Sequence, residues 1–266
     1  MSLWWAFFYG FIQGVSEFLP ISSSGHLALI PYFFELKDPG VLFDLVMHLG
    51  TAIAVILYFR KEVKDLIWQT LLLVTKRNTK DTIFVQNFLV STFASFILIL
   101  FIKDLAFEFG RTSLIIGINF IFFGILMYIS DRTNISSLNL TNKKDITRSI
   151  IIGLSQSLAV FPGVSRSGIT LTSSRFMGMS RIEASRFSFL LSLPVIIGSV
   201  IFKIPDIIDG GIQDVNYLIM LSGIMFSFIF GIITIHFFLK IISKIGLLYF
   251  SLYRVALGSL LIYLSL

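Results

Sequence analysis

The stretch Glu17-Phe18-Leu19-Pro20-Ile21-Ser22-Ser23-Ser24-Gly25-His26 puts an acid, three serines and a histidine into ten residues of a chain dominated by apolar side chains. A second stretch, Phe161-Pro162-Gly163-Val164-Ser165-Arg166-Ser167-Gly168, has the same character, with an arginine as its charge. Pro and Gly interrupt helices, and Ser hydroxyls compete for nearby backbone groups, so both stretches break the apolar pattern around them. What such breaks mean depends on the solvent the chain expects.

That solvent is lipid. Of the 266 residues 56% are hydrophobic and only 14% charged, with a mean hydropathy of +0.90. A water-soluble domain of this length needs far more polar surface. The absence of cysteine excludes disulfides, thiolate chemistry and Cys-based metal sites. The net charge of +6 reads as the basic bias of cytoplasmic loops rather than as a nucleic-acid footprint, and no nucleic-acid partner is expected. The start, MSLWWAFFYG, has no basic n-region, so a cleavable signal peptide is not expected either.

Six apolar runs, near 41–60, 83–102, 112–130, 184–203, 217–239 and 245–265, approach the roughly 20 residues a membrane helix needs. They are continuous rather than alternating, which predicts helices and not barrel strands. Two further apolar regions, 3–33 and 149–180, are broken by Pro, Gly and Ser and carry charge. Irregular backbone at membrane depth survives only where protein or a water-filled cavity covers it, so each region reads as a re-entrant helical hairpin. The expected fold is an all-α polytopic membrane protein in one domain.

Charge predicts the orientation. Arg60, Lys61, Lys64, Lys76, Arg77, Lys80, Arg132, Lys143, Lys144, Arg148, Arg175, Arg181, Arg186, Lys240 and Lys244, fifteen of the 21 Lys and Arg, fall on one face. Lys37, Lys103, Arg111 and Lys203 fall on the other, while Arg166 and Arg254 lie within membrane segments. The first face is therefore expected to be cytoplasmic, with both termini and the mouth of the first hairpin outside.

The two hairpins resemble each other. Gly10 and Gln13 precede Pro20 and Ser24-Gly25; Gly153 and Gln156 precede Pro162 and Ser167-Gly168. The first glycines and the closing Ser-Gly are both offset by 143 residues, and three apolar runs follow each hairpin. Gly, Pro and Ser are common in membrane helices, but one offset shared by two features favours a duplication, about 1–133 and 149–266, joined by a cytoplasmic linker at about 131–148. Three crossings per half would insert the second half upside down, an arrangement that builds binding sites near the midplane.

In the first hairpin Gln13 and Glu17 share a helix face at i, i+4. Pro20 is expected to end that helix, and Ser22, Ser23 and Ser24 precede a new one near Gly25, with His26 in its first turn. A helix N-terminus with free N–H groups and hydroxyls suits an anion. The second hairpin adds Arg166 between Ser165 and Ser167, a guanidinium whose fork fits phosphate oxygens. Together they suit a phosphoryl group, with Glu17 available to hold a divalent cation or handle a proton. Taken singly, each of the three serines favours backbone bonding over a nucleophile's role, and His26 fits an interface hydrogen bond. Charges at membrane depth default to function, which singles out Glu17 and Arg166. Asp44 and His48 either line the cavity or bond to each other, and Arg254 receives no role.

Gln13-x-x-x-Glu17 with FLPISSSGH, followed by QSLAVFPGVSRSG from Gln156, resembles the undecaprenyl-diphosphate phosphatase family, the bacitracin-resistance group of membrane phosphatases. The resemblance runs over nearly the whole chain. It implies an inverted-repeat fold and removal of the terminal phosphate of a polyprenyl diphosphate in the plasma membrane. That reaction recycles the lipid carrier of cell-wall glycan (peptidoglycan) synthesis, supports cell shape and confers antibiotic resistance. It further implies Glu17, with Gln13, in metal (Mg²⁺ or Ca²⁺) or proton handling; Ser23 and His26 as the nucleophile and acid/base positions, their order open; and Arg166, flanked by Ser165 and Ser167, on the phosphate, with Ser22 and Ser24 beside it. Gln13 departs from the glutamate many members carry, so the site has one carboxylate fewer, and His48 stands where some relatives have Gln. The active site is expected to open toward the outer face. The expected partners are the lipid substrate and membrane lipid, with a homodimer left open. A second lipid-phosphatase family sharing Ser-Gly-His needs a Ser-Arg pair, five intervening residues and then His, where this chain has Thr172. A polyprenyl-phosphate transporter or flippase is the competing function, since inverted repeats also build transporters.

Overall fold

Polar caps between the apolar runs set the helix ends. In the computed structural model, which describes residues 2–36, 39–75, 82–109, 112–133, 144–209 and 216–265, Thr112, Asp145 and Asn216 each accept the N–H three residues on, at 3.3, 3.0 and 3.2 Å. Such side chains satisfy donors that the helix itself leaves open. Among the described residues eleven α-helices follow: α1 Leu3–Ser16, α2 Ser23–Phe34, α3 Val41–Tyr58, α4 Arg60–Val74, α5 Ile83–Phe109, α6 Ser113–Asp131, α7 Ile146–Ser157, α8 Arg166–Phe176, α9 Arg181–Asp209, α10 Tyr217–Ile245 and α11 Leu248–Ser265. A 3₁₀ turn, Leu158–Val160, extends α7. The chain is an all-α polytopic membrane protein.

Five helices, α5, α6, α9, α10 and α11, are long and apolar enough to cross a bilayer. The expected run at 41–60 meets that test only jointly with α4, from which it is bent by 87°, giving up to six spans. Residues 60–74, expected as part of a charged cytoplasmic segment, are thus an amphipathic helix turned across the end of α3. Three of the long helices, α5, α9 and α10, overrun their expected limits. At about 1.5 Å per residue, the 29 residues of α10 reach well beyond a hydrocarbon core of about 30 Å. Most of the expected linker (134–143), and Lys37, Lys76, Arg77, Lys80, Arg111 and Lys143, lie outside the described residues.

The hairpin helices are different. α1, α2, α7 and α8 have 14, 12, 12 and 11 residues, each shorter than the bilayer core at the same rise. α1 ends at Ser16, one turn before Pro20, with Glu17 as its cap, and α2 begins at Ser23 rather than Gly25. α1 packs on α10 and α7 on α5, and glycines allow both approaches. A Cβ on Gly14 would stand 2.8 Å from the α10 backbone, and one on Gly153 only 2.2 Å from Ser91 O. The α5–α7 seam is also bonded at regular steps. Asn87 Oδ1 accepts from Asp145 N, Ser91 donates to Ser149 O and Ser95 to Gly153 O, each pair 58 residues apart. Small residues and such polar bonds are what hold helices together in lipid, where apolar burial drives little.

Candidate active site

The tips of the two short helix pairs meet. Ser22 and Ser165, 143 residues apart, both take a left-handed backbone with φ of 73° and 71°. Each cap hydroxyl accepts from the glycine N–H three residues on, Gly25 at 3.3 Å and Gly168 at 3.1 Å. Non-glycine residues in this region are strained and persist only where their surroundings hold them. Here the strain turns both chains so that the first turns of α2 and α8 face one space. Ser167 Oγ then donates to Leu19 O at 3.0 Å, linking one tip to the other.

Between the tips lies a cavity of about 160 Å³, lined by Glu17, Ser22, Ser23, Ser24, His48, Gln156, Ser165, Arg166, Ser167 and Ser199 among others. Glu17, 6% exposed, is its hub. Arg166 Nη2 donates to Oε1 at 2.5 Å, while Ser23 Oγ and Gln13 Nε2 donate to Oε2 at 2.6 and 3.1 Å. Arg166 also donates to Ser188 O of α9 at 3.1 Å, which fixes the guanidinium plane. The arrangement joins a hydroxyl on a carboxylate, a cation and two helix N-termini, which suits attack on a phosphoryl group.

Of the expected site residues, seven line this cavity: Glu17, Ser22, Ser23, Ser24, Ser165, Arg166 and Ser167. Gln13 sits behind Glu17. His26 is not among the lining residues. It donates Nδ1–H to Ser22 O at 2.7 Å, and its Nε2 accepts from Tyr253 OH at 2.6 Å; the two rings stack with 6° between their planes. In this conformation the imidazole braces the strained turn through its bond to the Ser22 backbone oxygen.

His48, for which lining the cavity was one of two expected readings, enters here with two residues left without a role, Gln156 and Arg254. His48 lines the cavity with Nε2 3.6 Å from Glu17 Oε2; it donates Nδ1–H to the Asp44 backbone oxygen at 2.7 Å rather than to its carboxylate. Its signal was an ionisable side chain within an apolar run. Gln156, 1% exposed, lines the cavity while donating to Ser95 Oγ at 2.9 Å. Arg254, fully buried, donates to Pro20 O of the first tip, to Gly163 O and Val164 O of the second, and to Asn119 O and Phe120 O of α6. These charge-assisted bonds offset the desolvation of a guanidinium that has no carboxylate partner among the described residues.

For a divalent cation the donor set is narrow. No three His, Cys, Asp or Glu side chains gather among the described residues, and Glu17 is the one carboxylate among those that line the cavity. Gln13 Oε1, however, is buried without a hydrogen-bond partner, beside the carboxylate its amide nitrogen binds. One carboxylate, one amide oxygen and the oxygens of a bound diphosphate form the hard-oxygen set that Mg²⁺ takes.

Known proteins match the chain over nearly its whole length. The family model described as bacitracin resistance protein BacA matches residues 6–260. A protein named undecaprenyl-diphosphatase from Alkaliphilus metalliredigens is 34% identical over 280 aligned positions, spanning all of both chains. Proteins of the same name from Pelotomaculum thermopropionicum and Alteromonas mediterranea are each 38% identical, covering 100% and 95% of this chain and 97% and 94% of their own. The chain belongs to the bacitracin resistance protein BacA family.

Proposed function

We propose that this membrane protein hydrolyses undecaprenyl diphosphate, or a similar polyprenyl diphosphate, to the monophosphate and inorganic phosphate. The carrying observation is the hydrogen bond from Ser23 Oγ to Glu17 Oε2 at 2.6 Å, opposite Arg166 in one cavity. The relatives' shared name supports a hydrolase; nothing in them favours a transporter. In the family this activity recycles the lipid carrier of cell-wall synthesis and underlies bacitracin resistance.

In this reading Arg166, Ser165, Ser167 and the first-turn N–H groups of α2 and α8 bind the terminal phosphoryl group. Ser23 Oγ attacks its phosphorus and passes its proton to Glu17. The bond to the bridging oxygen breaks, and polyprenyl monophosphate departs with the proton that Glu17 took from Ser23, which restores the carboxylate. Water then attacks the phosphoserine and gives its proton to Glu17, which passes it to Ser23 Oγ as the P–O bond breaks and phosphate leaves. His26 acts by holding the Ser22 turn. Glu17 with Gln13 Oε1 would hold Mg²⁺ or Ca²⁺, and a cation there supplies charge neutralisation to the diphosphate.

The site opens toward the outer face in this proposal, supported by the basic bias of the opposite face. An inverted duplication is supported by the matched Ser22 and Ser165 turns and by the reciprocal packing of α1 on α10 and α7 on α5. A homodimer through the exposed faces of the long helices completes the proposal; light scattering in detergent reads it. The test of function is hydrolysis in ¹⁸O-labelled water: the purified protein is expected to place the label in inorganic phosphate. Label in the lipid monophosphate, or lipid movement across vesicles without phosphate release, contradicts the reading.

A further inference from the structure

The 87° bend between α3 and α4 makes an L-shaped groove. If α3 runs across the bilayer, α4 lies close to the membrane plane at its end. One face of α4 carries Arg60 and Lys64 and then Ile67, Trp68 and Leu71, all at helical i, i+3/i+4 spacing. It begins basic and ends apolar. The apolar residues are uncovered, with Trp68 61% and Ile67 60% exposed, and neither Arg60 nor Lys64 is paired with a carboxylate among the described residues. Together with Ile56 and Leu57 of α3 this face encloses about 580 Å³. Asp65 also lines the groove and is shared with the neighbouring cleft, which contains Arg186.

We propose that this groove binds an anionic phospholipid, its headgroup phosphate on Arg60 and Lys64 and its acyl chains against Leu57, Ile67, Trp68 and Leu71. The groove is open to lipid along α3, so acyl chains enter it without leaving the bilayer. With α4 near the membrane plane, the two cations at its start would stand at the depth of the headgroups and the indole between water and hydrocarbon, where interfacial tryptophans sit. Juxtamembrane cations attract anionic lipid, and the guanidinium adds a fork for phosphate oxygens. In the orientation that charge predicts, this is the cytoplasmic leaflet, on the face opposite the mouth of the first hairpin. The groove therefore takes structural lipid, distinct from the diphosphate in the cavity.

The chain has three tryptophans, Trp4, Trp5 and Trp68, so Trp4→Phe/Trp5→Phe leaves Trp68 as the sole reporter. The protein is placed in phosphatidylcholine vesicles containing one fifth phosphatidylglycerol, with bromine on the acyl chains of either the phosphatidylglycerol or an equal fraction of the phosphatidylcholine. Brominated phosphatidylglycerol is expected to quench Trp68 about threefold more than brominated phosphatidylcholine. In Arg60→Gln/Lys64→Gln the two are expected to quench equally, while Lys61→Gln, off the groove, keeps the preference. Equal quenching in the parent protein, or a preference that survives the double substitution, overturns the site. An equal loss in Lys61→Gln also overturns it, because the attraction would then be diffuse surface charge.

Discussion

A carboxylate at membrane depth costs about 2.5–3.5 kcal/mol or more, and Glu17 offsets this through Arg166, Ser23 and Gln13. In the proposed mechanism its partners are also the reactive groups, so the residue that neutralises Arg166 serves as the base for Ser23. Glu17→Gln keeps the shape but removes the proton acceptor; kcat is expected to fall about 10²-fold or more, the scale of a general base, in a phosphate-release assay. Arg166→Lys keeps a charge but loses the planar fork, so kcat/KM is expected to fall at least tenfold while the folded yield holds. Tyr253→Phe removes one neutral hydrogen bond from His26, worth about 0.5–1.5 kcal/mol; a loss of activity within tenfold is expected. Most of these residues were legible in the sequence, because charge and clustered Ser stand out against an apolar background. His48 was legible only as one of two readings, because Asp44 four residues earlier offered it a local partner. His26 was legible as part of the motif, but its direction was not: that is set by Tyr253, 227 residues away.

At the scale of helices, Pro, Gly and Ser announced the hairpins, yet the seams that hold them were silent. Asn87, Ser91 and Ser95 look like ordinary polar residues in a membrane helix until α7 is laid beside them. Gly153 is where that seam is tightest. Gly153→Ala is expected to force α5 and α7 apart at the cost of overpacking, about 1–3 kcal/mol. The readout is thermal unfolding in detergent, where Tm should drop by several degrees; an unchanged Tm would mean that the seam is loose. The bend into α4 was illegible for a different reason. Its sequence mixes basic and apolar residues, so hydropathy alone cannot distinguish a polar loop from a helix lying at the interface.

Across the whole molecule one side chain from the last helix joins both halves. Arg254 reaches carbonyls of each tip and of α6, so the cavity's width depends on α11. Arg254→Lys keeps the charge but cannot serve five oxygens with one ammonium group; activity is expected to fall at least tenfold with Glu17 and Ser23 intact. The sequence placed Arg254 within a span but held no sign of partners 90 to 234 residues away. Orientation is open to a direct check, since the chain has no cysteine. An impermeant thiol reagent is expected to label Lys103→Cys from outside intact cells and Lys144→Cys only after the membrane is opened; the reverse pattern would turn the cavity toward the cytoplasm.

The most direct test of the whole account is phosphate release from undecaprenyl diphosphate by purified protein, measured for the parent chain, Ser23→Ala and Arg166→Ala. The parent should release one phosphate per lipid and both variants should fall to background. Full activity in Ser23→Ala would contradict the serine–glutamate chemistry, and no release by the well-folded parent chain would contradict the function itself.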